Sequence, residues 1–256
     1  MPADSSDLTS GPGGELVLAP AKLTSELRIT GVRDDGYHLI DAEMVSVDLC
    51  DELAFAGGDG LVVIGASGLP VPADDDNLVR RALRLVGRRA EVRLVKRIPA
   101  GAGLGGGSAD AAAVLRWAGF DDLEAAASLG ADVPFCIRGG RARVTGIGEV
   151  LVPLAFEPRT YTLLTPPIAC STPAVYRAWD ELGGPTAEGP NDLEPAALVV
   201  APDLARWRDQ LGDATGQVPV LAGSGSTWFV VGAFPDAGTV VRTLPATVPP
   251  AGSTAS

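Results

Sequence analysis

The chain has 256 residues, 46% hydrophobic and 20% charged, so it can bury a core and does not have the composition of a disordered chain. A formal net charge of −12 excludes a general nucleic-acid surface, which needs clustered Lys and Arg against the phosphates. Three scattered cysteines and one histidine, His38, exclude a disulfide framework and a His-rich metal site, and no apolar run approaches the roughly 20 residues of a membrane span.

Residues 1–15 are polar and acidic, without the basic start or apolar stretch of a signal peptide; they are expected to be a frayed tail on a cytoplasmic protein. Residues 17–21 and 26–30 read as early strands, followed by a turn at Arg33-Asp34-Asp35-Gly36. Further strands are expected at 42–49, 51–55 and 61–64. Asp74-Asp75-Asp76-Asn77 supplies N-cap chemistry for a helix over 78–86, with apolar residues at Leu78, Val79, Ala82, Leu83 and Val86. A strand at 90–95 runs directly into a glycine-rich loop, after which 109–117 reads as an Ala-rich helix and 121–128 as a shorter one.

A second half starts near Pro153. It holds an expected strand at 161–164, helices at 172–182, 193–200 and 201–211, and a strand pair at 218–222 and 228–231 around Gly223-Ser224-Gly225-Ser226. The Pro-, Ala-, Ser- and Thr-rich tail after about 245 is expected to be disordered. Strands and helices mix without a steady β-α-β rhythm, which predicts an α+β fold.

The glycine loop carries the chemistry. It reads Lys96-Arg97-Ile98-Pro99-Ala100-Gly101-Ala102-Gly103-Leu104-Gly105-Gly106-Gly107-Ser108-Ala109. Glycines bare the backbone N–H groups and permit the left-handed dihedrals that turn them toward one point. The loop opens into a helix N-terminus, which adds partial positive charge, so the segment is an anion cradle. The hydroxyl of Ser108 sits where it can cap the helix, touch a phosphate or ligate Mg²⁺. The spacing Gly101-x-Gly103-x-x-Gly106 also fits a dinucleotide fingerprint, but any glycine-dense run contains it. A Walker loop is excluded because no Gly-Lys pair exists, and a hydrolase elbow because no Gly-x-Ser-x-Gly occurs.

The run from Pro99 to Ser108 resembles the phosphate-binding motif of the GHMP kinases (galactokinase, homoserine kinase, mevalonate kinase and relatives). Four further segments follow the same family in order: Ala19-Pro20-Ala21-Lys22-Leu23, the Gly36-Tyr37-His38 segment, Gly130-Ala131-Asp132-Val133-Pro134, and Asn191-Asp192-Leu193 with Gly223-Ser224-Gly225-Ser226. The resemblance implies a two-domain fold, with a ribosomal-S5-domain-2-like N-terminal domain over 1–152 and a ferredoxin-like C-terminal domain over 153–256. It implies ATP and Mg²⁺ as cofactors. Within the family, Gly36-Tyr37-His38 points to the branch that phosphorylates the 2-hydroxyl of the methylerythritol moiety of a CDP-linked substrate in non-mevalonate isoprenoid precursor synthesis. A kinase for another small alcohol, of homoserine or mevalonate type, and a non-catalytic ligand-binding homologue are the alternatives.

By the same resemblance, Asp132 is the general base and Lys22 the cation beside it. Asn77, Lys96 and the loop from Pro99 to Ala109 bind the nucleotide. Thr24, Tyr37, His38, Thr172, Tyr176, Gly223 and Ser224 bind the alcohol substrate, with Tyr176 on cytosine. Plain structural readings stand beside these: an N-cap for Asp132, a helix cap for Asn77, core packing for Tyr176 and a hairpin turn for Gly223. Thr24 stands where the family usually has Asn. No nucleic-acid or membrane partner is expected, and the protein is expected to be a monomer or weak homodimer.

Overall fold

The computed structural model describes residues 14–65 and 71–247. Most of the expected leader, 1–13, and the tail from 248 lie outside the described residues.

The two pairs of strands expected at the start are two long ones. β1 (Glu15–Val32) and β2 (His38–Ala56) form an antiparallel hairpin around the turn at Arg33 to Gly36. Register shifts between Pro20 and Lys22 and between Thr24 and Glu26 mark β-bulges, the first at a proline that has no N–H for the ladder. Alternation along the sequence breaks at these bulges, which is why each strand reads as two. β3 (Gly60–Ile64) and β4 (Glu91–Val95) are parallel, joined through α1 (Leu78–Leu85). Asn77 caps α1, its Oδ1 accepting from the Val79 amide at 2.9 Å.

α2 (Gly106–Ala118) starts three residues earlier than the sequence predicts, inside the glycine run. Glycine carries a poor helix propensity, so the start is set by tertiary contact and not by local preference. Residues Ala109 to Leu115 are buried: α2 is a central helix of small side chains packed on β1, α1 and α4. It ends at Gly119, in the left-handed region at φ 70°. α3 (Leu123–Ala127) and α4 (Val133–Arg138) follow, then β5 (Arg141–Gly146) and β6 (Val150–Pro153). The sequence patterns do not reveal β5 and β6. The first sheet has order β3-β4-β2-β5-β6, with β1 also paired to β2.

β7 (Thr160–Leu164), α5 (Thr172–Glu181), α6 (Glu194–Val200), α7 (Leu204–Thr215), β8 (Val220–Leu221), β9 (Trp228–Val231) and β10 (Thr239–Arg242) complete the described chain. The second sheet is antiparallel with order β10-β7-β9-β8, the 4-1-3-2 arrangement of a ferredoxin-like layer. Seven residues, 232–238, link β9 to β10 without a second crossover helix. The expectation of disorder from about 245 is corrected over its described part. Leu244 N donates to Ser46 O at 2.8 Å, and Thr247 N to Arg138 O at 2.9 Å, so 244–247 dock on β2 and the end of α4.

Candidate active site

A cavity of about 930 Å³ opens between the two sheets. It gathers Lys22, Thr24, Tyr37, His38, Asn77, Lys96, Asp132, Thr172, Tyr176, Gly223, Ser224 and every loop residue from Pro99 to Ser108. Ala109 is the exception among the expected residues. It is fully buried, and its amide is spent on Gly105 O at 2.8 Å, so it has nothing left to offer a ligand.

The loop turns on alternate glycines. Gly101, Gly103 and Gly105 have φ of 74°, 78° and 68°, which side-chain-bearing residues rarely adopt. Gly105 is the N-cap of α2, and a Cβ there would meet Lys22 Cγ at 2.7 Å. Lys22 therefore lies across the loop with its stem on Gly105 and its ammonium ahead of the helix N-terminus. The bulges flanking Lys22 and Thr24 re-aim these two side chains out of the ladder's regular alternation.

Lys22 Nζ lies 3.3 Å from Asp132 Oδ2 and donates to Thr24 Oγ1 at 3.2 Å. Asp132 occupies the N-cap position of α4 but makes no side-chain cap bond. Its carboxylate keeps 29% side-chain exposure, against 8% for Lys22, and is open to the cavity. The plain cap reading of Asp132 therefore does not describe its side chain.

A second glycine turn backs the first. Thr227 N donates to Ala102 O at 3.2 Å, and a Cβ on Gly103 would lie 2.7 Å from Gly225 O. Asn191 Nδ2 holds this turn through Leu221 O at 2.8 Å and Gly223 O at 2.7 Å. Thr172 Oγ1 and Ser224 Oγ share a hydrogen bond of 2.8 Å. At the far end, His38 packs on Tyr176 with ring centroids 4.7 Å apart, and its Nε2 bonds Asp180 Oδ1 at 2.8 Å. Burial pushes the Tyr176 phenol up to about 12, which keeps it neutral. Tyr37 lines the same cavity and is 59% exposed.

Two expected nucleotide residues have prior commitments. Asn77 caps α1 and donates from Nδ2 to Pro72 O at 2.7 Å. The Lys96 ammonium is bound to two buried carboxylates, Asp51 and Asp110, at the base of the loop. The motif reading misses Asp51, Asp110 and Asp180. A lone carboxylate inside the Ala-rich stretch after Ser108 was the one sequence signal for any of them.

The profile of the GHMP kinases N terminal domain family matches residues 77–140, which hold α1, the loop, α2 and Asp132. The 4-diphosphocytidyl-2-C-methyl-D-erythritol kinase of Paracoccus denitrificans (strain Pd 1222) is 40% identical over 231 residues, covering 82% of this chain and 84% of that protein. The chain belongs to the 4-diphosphocytidyl-2-C-methyl-D-erythritol kinase family of GHMP kinases. Another member, from Ruegeria pomeroyi (strain ATCC 700808 / DSM 15171 / DSS-3), is 39% identical over 86% of this chain and 88% of its own length. A crystal structure of 4-(cytidine 5'-diphospho)-2C-methyl-D-erythritol kinase superposes with TM-score 0.73 at 33% identity, over 90% of this chain and 99% of that one. A Listeria monocytogenes structure described as a homoserine kinase shares the fold, at TM-score 0.55 and 19% identity, over 90% of this chain and 96% of that one. No helix among the described residues is long and apolar enough to cross a membrane.

Proposed function

We propose that this chain transfers the γ-phosphoryl group of ATP to the 2-hydroxyl of 4-diphosphocytidyl-2-C-methyl-D-erythritol, in the cytoplasm, for non-mevalonate isoprenoid precursor synthesis. The observation that carries this reading is the Lys22–Asp132 pair, 3.3 Å apart, facing the N-terminus of α2 across one cavity. Family membership supplies the identity of the acceptor.

In this reading Asp132 accepts the proton of the 2-hydroxyl as its oxygen bonds to the γ-phosphorus. The bond from the γ-phosphorus to the β,γ-bridging oxygen breaks, and ADP leaves. Lys22 offsets the charge that develops on the transferred group, where a fixed cation in a partly dry site is most effective. Thr24, in the usual place of Asn, holds the Lys22 ammonium in position. Backbone N–H groups of the glycine loop and of α2 cradle the phosphates. Phosphoryl transfer asks for little more than positioning and charge. Tyr37, His38 and Tyr176 receive the cytidine end, and Thr172, Gly223 and Ser224 the neighbouring diphosphate.

Mg²⁺ fits as an ion brought in on the nucleotide. Among the described residues no group of three or more His, Cys, Asp or Glu forms a cage; Asp132 is open to the cavity, while Asp110, which also lines it, is tied to Lys96. One carboxylate plus phosphate oxygens is a usual Mg²⁺ environment, and the bound ion would draw charge from the β- and γ-phosphates.

The proposed two-domain division at 152/153 falls one residue inside the end of β6, with β7 to β10 all after it. The test is a coupled ADP-release assay with the CDP-linked alcohol, homoserine and mevalonate as separate acceptors. Turnover is expected with the first alone, and Asp132→Ala is expected to lower kcat at least a thousandfold. Wild-type turnover by that variant would remove Asp132 from its role, and ADP release with homoserine or mevalonate alone would replace the acceptor.

A further inference from the structure

Three charged side chains lie together at the base of the first glycine loop and take no part in the chemistry above, although two of them, Lys96 and Asp110, reach the cavity wall. Lys96, 4% exposed, follows β4; Asp51 in β2 is fully buried; Asp110, in α2, is 3% exposed. Lys96 Nζ donates to Asp51 Oδ2 and, at 2.7 Å, to Asp110 Oδ2. Asp51 Oδ1 accepts from the amides of Arg97 at 2.5 Å and Ile98 at 2.8 Å, the residues that lead into Pro99. A Cβ on Gly106 would lie 3.1 Å from Lys96 Nζ, so the ammonium sits against the first turn of α2. Asp110 Oδ1 is buried and has no hydrogen-bond partner.

One cation against two carboxylates out of water is a poor way to stabilise a core, since apolar side chains of similar volume do as well or better. What the trio supplies is geometry. Its bonds grip the chain on both sides of the loop, at Lys96 to Ile98 before it and at Asp110 after it. Between these points the residues from Pro99 to Gly107 are glycine, alanine, one proline and one leucine. No polar side chain inside that stretch can fix its shape.

We infer that Asp51, Lys96 and Asp110 form a buried clamp that sets the shape of the phosphate loop before nucleotide arrives, and that all three are positioning residues and not nucleotide contacts. The inference rests on reading that loop as the ATP phosphate site. Ordering a glycine-rich segment on binding subtracts from affinity, and a clamp that orders it in advance removes that cost. The clamp acts on nucleotide affinity and leaves the acceptor end of the cavity alone.

The test uses the full chain. Asp110→Ala removes the acceptor that ties Lys96 to α2 and opens the clamp on that side of the loop. It is expected to raise KM for ATP and the calorimetric Kd for ADP about tenfold, with kcat and KM for the alcohol within about twofold. Hydrogen exchange should accelerate in peptides covering 96–108 and stay unchanged in the β7–β10 sheet. Unchanged ATP affinity, or a loss shared equally by both substrates and both sheets, would overturn the clamp. A second measurement needs no variant. In nucleotide-free wild type the amides of Arg97 and Ile98 should be as protected as those of β4; free exchange there, with protection only on adding ADP, would also overturn it. Failure of the wild type to bind ADP at all would instead strike the proposed function, and the exchange of the free protein still reads the clamp separately.

Discussion

At the residue scale, the two side chains closest to the proposed chemistry differ in what they do for the fold. Lys22 is nearly buried, but its ammonium is met by Thr24 and by a carboxylate that water still reaches. Replacing it with methionine keeps the apolar stem on Gly105 and leaves Asp132 solvated. Lys22→Met is therefore expected to lower kcat by about 10²–10³, the range for loss of one charge-stabilising donor, with little change in melting temperature. Steady-state kinetics beside thermal denaturation checks this. Asp110 behaves in the opposite way. Burial pushes its carboxyl up to about 8, more than Lys96 pulls it down, so the fold favours the protonated form. The stability this group contributes is full below the ordinary carboxylate range near 3.9 and is lost as pH rises through about 8. Cys50 and Cys136, raised to about 11 and 12, add a decline only above their ordinary value of 9.0. Melting temperature is thus expected to fall between pH 5.5 and 8 in the wild type, and to fall less in Asp110→Asn. Lys22 and Asp132 were legible in the sequence because each sits in a motif. The clamp was not, because its members are 45 and 14 positions apart and only the folded chain brings them together.

At the scale of elements, local signals read well where the chain obeys local rules. The Asp- and Asn-rich run before α1 ends in a working cap at Asn77, and the Arg33 to Gly36 turn closes the first hairpin. They fail where distant contacts decide. β10 pairs with β7 across 76 positions at Thr239–Leu163 and 82 at Arg242–Thr160, and α2 begins among glycines that no propensity would make helical. The glycine loop is the element where this matters most. A methyl at Gly103 would combine a left-handed φ of 78° with overlap on the carbonyls of Ala222 and Gly225. At Gly119 the φ is 70°, but nothing lies within 4 Å of an added Cβ. Gly119→Ala is expected to cost only the left-handed penalty, about 1–2 kcal/mol, with KM for ATP unchanged. Gly103→Ala must also push the two glycine turns apart, so KM for ATP should rise more than tenfold on top of the same stability loss. Equal KM values in the two variants would show that the turns do not work as one cradle.

At the scale of the molecule, the cavity exists because the two sheets are held at a fixed separation, and two seams do the holding. One runs from the end of β10 onto β2: Arg242 N donates to Asp48 Oδ1 at 2.8 Å, and Thr243 bridges to Val47. The other joins β1 to the segment before α6. Leu27 N donates to Pro190 O at 2.9 Å, and Asp192 N returns to Leu27 O at 3.0 Å. Asp192, almost wholly buried, then accepts from Arg28 Nη1 at 2.8 Å, Ile29 N at 2.9 Å and Ala187 N at 3.0 Å. Its neighbour Asn191 holds the second glycine turn. One two-residue segment therefore ties the strand that carries Lys22 to the turn that carries Gly223. Asp192 lies outside the cavity lining, so its effect on activity can only be indirect. Asp192→Ala strands two amides and a guanidinium that is one-third exposed, a loss of roughly 2–4 kcal/mol. For a chain of this length that is a fall of roughly 5–15 °C in melting temperature. Because the seam sets the spacing across which phosphate and acceptor must meet, kcat/KM should fall for ATP and for the alcohol together, unlike the ATP-selective loss expected from the clamp. Calorimetry tests the same seam: the wild type should unfold in one transition and the variant in a broadened or split one, and an unsplit transition with both kcat/KM values intact would mean that β10 on β2 fixes the cavity alone.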